Sequence, residues 1–249
     1  MRYIYLLIVL LCLSCNTERV LQLPEIENAE VTEVLDVSPA YIFYDETQAD
    51  STLLNRKNII TTTNWLVNVD KRLTLRQAIP YIKLLQEKKR NVGLHKNANA
   101  KNYFTCNDTS IKSLGFLEFT NVNYKLSDLI EPDEEMIIDS DIVELENLFN
   151  EDYYKQLPHN DIFWALSIFI NIDMSVNYYN QNNIKLKTKN ITTLIKALKD
   201  IKHKNNLELG FKLSVWFHGQ LSFQDYIAIK SELSKQEEDI IINANEFIY

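Results

Sequence analysis

Apolar residues recur along this chain with two periods, and each change of period marks a change of element. Leu166, Ile168, Ile170, Ile172 and Met174 alternate with Ser167, Phe169, Asn171 and Asp173, the period-two pattern of a strand with one buried face. Tyr178 to Leu186 returns as a hairpin around the turn-forming run Asn180-Gln181-Asn182-Asn183. Ile191, Leu194, Ile195, Leu198 and Ile201 then fall on one helical stripe, with Lys196, Lys199, Lys202 and Lys204 on the solvent side. Leu207, Leu209, Phe211, Leu213, Val215 and Phe217 alternate again as a strand. Ser222, followed three residues on by Asp225, opens a helix through Ile227, Ile229 and Leu233. Asp239 to Tyr249 is a terminal strand, so the order is strand, strand, helix, strand, helix, strand.

The first half is patterned more loosely. Tyr41 to Tyr44 and Ile59 to Val69 read as strands. Thr74 is a candidate N-cap for a helix carrying Leu75, Ala78, Ile79, Ile82 and Leu85, which Pro80 should kink or truncate. Lys88, Lys89 and Arg90 suit the carboxyl end of that helix, where positive charge meets the dipole, and Gly93 stops it. Tyr103 to Cys106 and Gly115 to Tyr124 close the half as strands. A faint repeat pairs Val67-Asn68-Val69, leading through Leu73-Thr74, with Ile184-Lys185-Leu186, leading through Ile191-Thr192. Between Asp128 and Asp152 there is no Lys or Arg, and acids recur around Ile137, Ile142, Val143 and Leu148. That stretch reads as an acidic connector with a short helix; a calcium loop would need a glycine that is missing and would match Asp139-Ser140-Asp141 only at its start. The fold class expected is α+β, one or two small two-layer lobes, each a mixed sheet with helices on one face.

The amino terminus has a different character. Arg2, an apolar run from Tyr3 to Leu13, Ser14 and then Cys15 form a secretory signal, since the run falls short of the roughly 20 apolar residues that span a bilayer. Cys12-Leu13-Ser14-Cys15-Asn16 resembles a bacterial lipobox, with Cys12 where that motif has an aliphatic residue. The resemblance implies lipidation at Cys15, a cell-envelope location anchored in the outer membrane, and a partner in the membrane itself; several acyl chains make a stable anchor where one does not. Residues 1–14 are then the cleaved signal, 15–30 a lipid-anchored tether, 31–127 an N-terminal lobe, 128–157 the connector and 158–249 a C-terminal lobe. Cys106 remains the one free thiol of the mature chain, so no internal disulfide forms.

The run Phe217-His218-Gly219-Gln220-Leu221-Ser222-Phe223-Gln224-Asp225-Tyr226 between strand and helix, with the element order around it, resembles the periplasmic domain of the ExbD/TolR biopolymer-transport family. The likeness covers roughly the final third of the chain. It implies an interaction module, with His218, Gly219, Gln220 and Asp225 as a candidate interaction turn. Family members hold this domain on a transmembrane helix bearing an acid, which this chain lacks, so proton-coupled transduction is not implied.

Charge and motif content narrow the chemistry. The net charge is −8 and the pI about 5.1, without a basic stripe, which argues against nucleic acid as a partner. The four glycines form no phosphate loop, and no cofactor is implied. No HExxH, CxxC or GxSxG occurs. His159 with Asp161 sits in a loop context, His203 at a helix end, and Cys106 with His95 is a weak thiol dyad, so no catalytic or metal residue is assigned. Asp70-Lys71-Arg72 reads as a solvated turn, and Asp50-Ser51-Thr52 resembles the short O-glycosylation acceptor of Bacteroidetes envelope proteins. The function expected is a non-catalytic envelope module that binds a protein, peptidoglycan or its own copy; the alternative is an envelope hydrolase with an unrecognised carboxylate or histidine site.

Overall fold

The computed structural model describes residues 19–91, 97–127, 137–139, 163–179, 185–204, 210–236 and 240–249. The fold is α+β, built from two mixed sheets and helices on their inner faces. In the first sheet β1 (Glu25–Ile26) runs parallel to the end of β5 (Asn102–Asp108). β2 (Val37–Tyr44) makes a hairpin with β3 (Thr52–Asn55) and lies parallel to β4 (Asn64–Val69). β4 pairs with β5, and β6 (Ser113–Glu118) closes the other edge of β5 antiparallel. Alternation decides the faces: Ser38, Ala40 and Ile42 are buried while Pro39, Tyr41 and Phe43 are half-exposed. The strand expected from Ile59 starts only at Asn64, because Ile60 and Thr63 form a turn whose Ile60 carbonyl accepts from Trp65 Nε1 at 2.7 Å.

Helix α1 (Leu75–Arg90) covers the inner face with Leu75, Ala78, Ile79, Ile82 and Leu85. Thr74 is its N-cap, in a full capping box with Gln77. Pro80 lies inside the helix, which continues past it to Arg90; its missing N–H removes only the bond that Arg76 would have accepted.

The second sheet has the order β7 (Asn123–Leu126), β13 (Ile240–Ile248), β12 (Gly210–Phe217), β9 (Phe163–Ile170), β10 (Val176–Tyr179), β11 (Lys185–Thr188), β8 (Ile137–Asp139). Helices α2 (Ile191–Lys204) and α3 (Phe223–Ser234) accompany it. β9 ends at Ile170, short of the expected Met174, because Asp173 takes Ser175 into a local turn and Met174 adopts a φ of 62°. The run from Gly115 to Tyr124 is not one strand: it divides between β6 of the first sheet and β7 of the second. The chain is also built into the body from Gln22 onward, where a tether was expected. Lys71 N–H donates to the Gln22 carbonyl at 2.8 Å, and Glu25 exchanges two hydrogen bonds with the Gln224 side chain. Of the acidic connector only Ile137–Asp139 is described, and it is a strand, β8, paired with β11 where a short helix was expected; the rest, Asp141 included, lies outside the described residues.

A pseudo-two-fold relation joins the halves at the amino ends of α1 and α3. Thr74 and Ser222 form an antiparallel bridge. Leu75 N–H donates to the Leu221 carbonyl at 3.0 Å and Phe223 N–H to the Leu73 carbonyl at 2.7 Å; Arg76 N–H reaches the Gly219 carbonyl and Gln224 N–H the Lys71 carbonyl. The first free N–H groups of each helix, which would otherwise need water, are therefore satisfied by the loop before the other helix. The strands obey the same relation: Asp70 N–H donates to the Ile42 carbonyl and His218 N–H to the Ile170 carbonyl, both at 2.9 Å. Residues 67–74 thus match 215–222, not the 184–192 segment that the sequence repeat selects.

One continuous core fills the space between the sheets. Phe104 of β5 stacks on Phe119 with centroids 3.8 Å apart and meets Phe223 and Tyr226 of α3 edge-on. Tyr226 in turn packs edge-on against Phe217 of β12. The helices belong to both lobes.

Candidate functional site

The four residues of the candidate interaction turn come together at this seam. His218 Nδ1 accepts the Gln220 N–H at 3.1 Å, and its ring meets Tyr249 edge-on. Gly219 donates to the Tyr249 carbonyl at 2.6 Å and accepts from Arg76 N–H. A side chain at Gly219 would place Cβ 2.6 Å from Arg76 Cγ and 2.9 Å from the Tyr249 carbonyl oxygen, so glycine is required by close approach. Ser222 caps α3 by accepting from the Asp225 N–H at 3.1 Å, and the Asp225 carboxylate accepts in turn from Ser222 Oγ at 2.6 Å. Only Gln220 is fully exposed. The turn's backbone is thus spent on joining the lobes.

The other candidates scatter. Cys106 is buried, and burial pushes its thiol up to about 12, which makes it a small apolar side chain rather than a nucleophile. Asp70 is buried against Arg72 at 2.8 Å. Burial alone would raise its pKa, but hydrogen bonds from Arg72 and Gln22 outweigh it and hold the carboxyl below its usual range. Asp108, also buried, accepts from Ser110 Oγ at 2.5 Å and Ala29 N–H at 2.7 Å, and these bonds hold it at about 2. Asp50 receives the Tyr81 hydroxyl at 2.8 Å beside the Ser51 turn. His203 is exposed on α2. Cys15, His95, His159 and Asp161 lie outside the described residues. Among the described residues no three His, Cys, Asp or Glu side chains converge as metal ligands.

Beneath α3 runs a buried polar chain that sequence patterning misses. Tyr124 and Tyr226 share a hydrogen bond at 2.9 Å, the Tyr226 hydroxyl donates to Glu246 Oε2 at 2.7 Å, and Lys230 Nζ pairs with Glu246 Oε1. Glu246 shares the inward face of β13 with Ile240 and Ile248, an even number of residues away from each, although the pairing with β12 shifts register between Leu213 and Val215. Burial comes first, and the Glu246 charge second, in raising both tyrosines well above their ordinary pKa. The chain is buried except at Lys230, which is partly exposed, and it holds α3, β7 and β13 together.

Among the clefts that the described residues form, two are the roomiest. One, about 240 Å³, lies between β1 and α3 and is lined by Glu25, Glu27, Glu232 and Lys235; Glu25 is already paired with Lys71 at 2.7 Å. The other, about 200 Å³, lies at the carboxyl end of α1 and is lined by Lys89, Arg90, Asn102 and Asn121 among others. Lys89 lies in the last turn of α1, as the sequence places it, but the structure turns its side chain inward. Lys89 Nζ donates to the Lys101 carbonyl at 2.8 Å and Asn102 Oδ1 at 2.9 Å, and sits 5.1 Å from the Trp65 ring centroid. Burial without any carboxylate pushes its ammonium down to about 8. The signal was present: Ala78, Ile82 and Leu85 set a stripe on which Lys89 is the next position.

No family model, curated protein or solved structure matches the chain.

Proposed function

We propose that the protein is a lipid-anchored, non-catalytic interaction module of the bacterial cell envelope. The observation that carries this reading is the commitment of the side chains a hydrolase would use. His218 Nδ1, Asp225, Asp70, Asp108 and Glu246 are each held in bonds that cap a helix, close a turn or join the lobes. A general acid or base needs a free proton-transfer position beside a substrate, and these groups are turned into the fold. The turn that resembles the ExbD/TolR domain here organises the interior, and binding falls to the surfaces around it.

The anchor reading gains a geometric corollary. From Cys15 to Gln22 is a seven-residue step, which reaches about 25 Å at full stretch. A body clamped at Gln22 is therefore held close to the bilayer that carries Cys15. Photo-crosslinking in intact cells from the exposed positions Leu126, Ile172 and Gln220 tests the module reading. Discrete adducts with a protein, with peptidoglycan or with a second copy support it. Turnover of an ester, peptide or glycan substrate by the purified protein, abolished by His218→Ala or Asp225→Ala, overturns it.

A further inference from the structure

We infer that the cleft at the carboxyl end of α1 binds a small organic oxyanion, a carboxylate or a phosphate monoester on a body no larger than a sugar ring. This rests on the binding-module reading and names the chemistry one of its surfaces accepts. Lys89 is only 9% exposed, and every contact it makes is neutral: a carbonyl, an amide oxygen and the face of Trp65. A buried charge ordinarily carries a counter-charge. The helix dipole supplies part of one, since Lys89 lies in the last turn of α1, but among the described residues no Asp or Glu lines the cleft.

The donors around Lys89 point to the same chemistry. An ammonium only donates, so its bond fixes the Asn102 amide with Oδ1 toward Lys89. Asn102 Nδ2 then makes no bond to a described residue and, since Asn102 lines the cleft, is left to the solvent there. Arg90 gives one weak bond to the Val122 carbonyl at 3.3 Å, and both it and Asn121 are exposed residues of the cleft lining. An ammonium, a guanidinium and two amides among the lining side chains are a donor set for an oxyanion. At about 200 Å³ the cleft is below the roughly 300–1,000 Å³ of drug-sized sites, which limits the occupant to one small unit.

The test uses the mature chain with Cys15→Ser, so that it stays in solution, and titrates it at neutral pH and low salt with glucuronate, glucose 6-phosphate and glucose, following amide shifts by NMR. At least one of the two anions saturates and glucose does not; whichever anion binds tighter identifies the charged group. Arg90→Gln, at an exposed position, weakens that anion about 2–5-fold. Lys89→Met, checked by thermal melt for an intact fold, weakens it at least about thirtyfold. The cleft assignment falls if neither anion saturates, if glucose binds as well, or if the affinity is the same in wild type and Arg90→Gln. Such a failure leaves the cell crosslinks from Leu126, Ile172 and Gln220 to judge the module reading separately.

Discussion

Replacing Phe104 by alanine should destabilise both lobes by the same amount. Phe104 is fully buried and touches Phe119, Phe223 and Tyr226, so its ring lies where the first sheet meets the helix of the second. Truncating a buried Phe costs about 3–5 kcal/mol when the cavity cannot collapse, and here three aromatic neighbours held by other contacts limit collapse. For a domain of this size that is a fall in melting temperature of roughly 6–20 °C, or a urea midpoint lowered by about 1–2 M. Two single-tryptophan backgrounds read the lobes separately, one keeping Trp65 in the first sheet and the other Trp216 in the second. Urea transitions followed by fluorescence should coincide in both, and Phe104→Ala should move both midpoints equally. If the Trp216 transition stays in place while the Trp65 transition moves, the lobes are independent and the shared core is not what stabilises them.

The buried polar chain gives a ranked pair: Tyr226→Phe should cost about 1–3 kcal/mol, by leaving Glu246 and Tyr124 short of a partner. Lys230→Met should cost about 3–5 kcal/mol, because it strips the ion pair from a buried carboxylate; thermal melts that reverse the order would contradict the network. In acid, Asp108 has a folded pKa of about 2 against an ordinary 3.8. Its contribution is present above the ordinary value and lost as pH falls from there toward 2, and Asp70 acts in the same direction. Asp108→Asn should therefore be less stable at neutral pH yet lose less stability on acidification, read from urea midpoints at each pH. Cys106, buried with its thiol at about 12, should resist alkylation at mildly alkaline pH until denaturant is added; rapid labelling of the native protein would contradict its place in the core.

Much of the C-terminal architecture was legible because strict alternation and a clean helical stripe leave few alternatives. Ser222 and Thr74 identify their helices because side-chain caps are local chemistry. What stayed hidden is what depends on partners distant in sequence. Gln22 reads as tether because its bonds go to Lys71 and Asp70, far along the chain. Tyr124 reads as the end of one strand because nothing local says that its neighbour is Glu246. The repeat was sensed in the right first half but matched to the wrong second half. Leu73-Thr74-Leu75 and Leu221-Ser222-Phe223 share a pattern rather than identities, and hydrogen bonding across the seam exposes it. His218 drew attention as the histidine on a turn, whereas Lys89 hid in a charged run, although the helical stripe continues onto it.

The anchored-module reading is tested most directly by the intact mass of the mature protein extracted from cell membranes, alongside Cys15→Ser. The wild-type chain should begin at Cys15 and carry the added mass of a diacylglycerol and an amide-linked acyl chain. The variant should leave the membrane fraction or keep its signal uncleaved. A membrane-bound wild-type chain that starts elsewhere, or an unlipidated Cys15, would contradict the anchor, and with it the proposed place of this fold in the cell envelope.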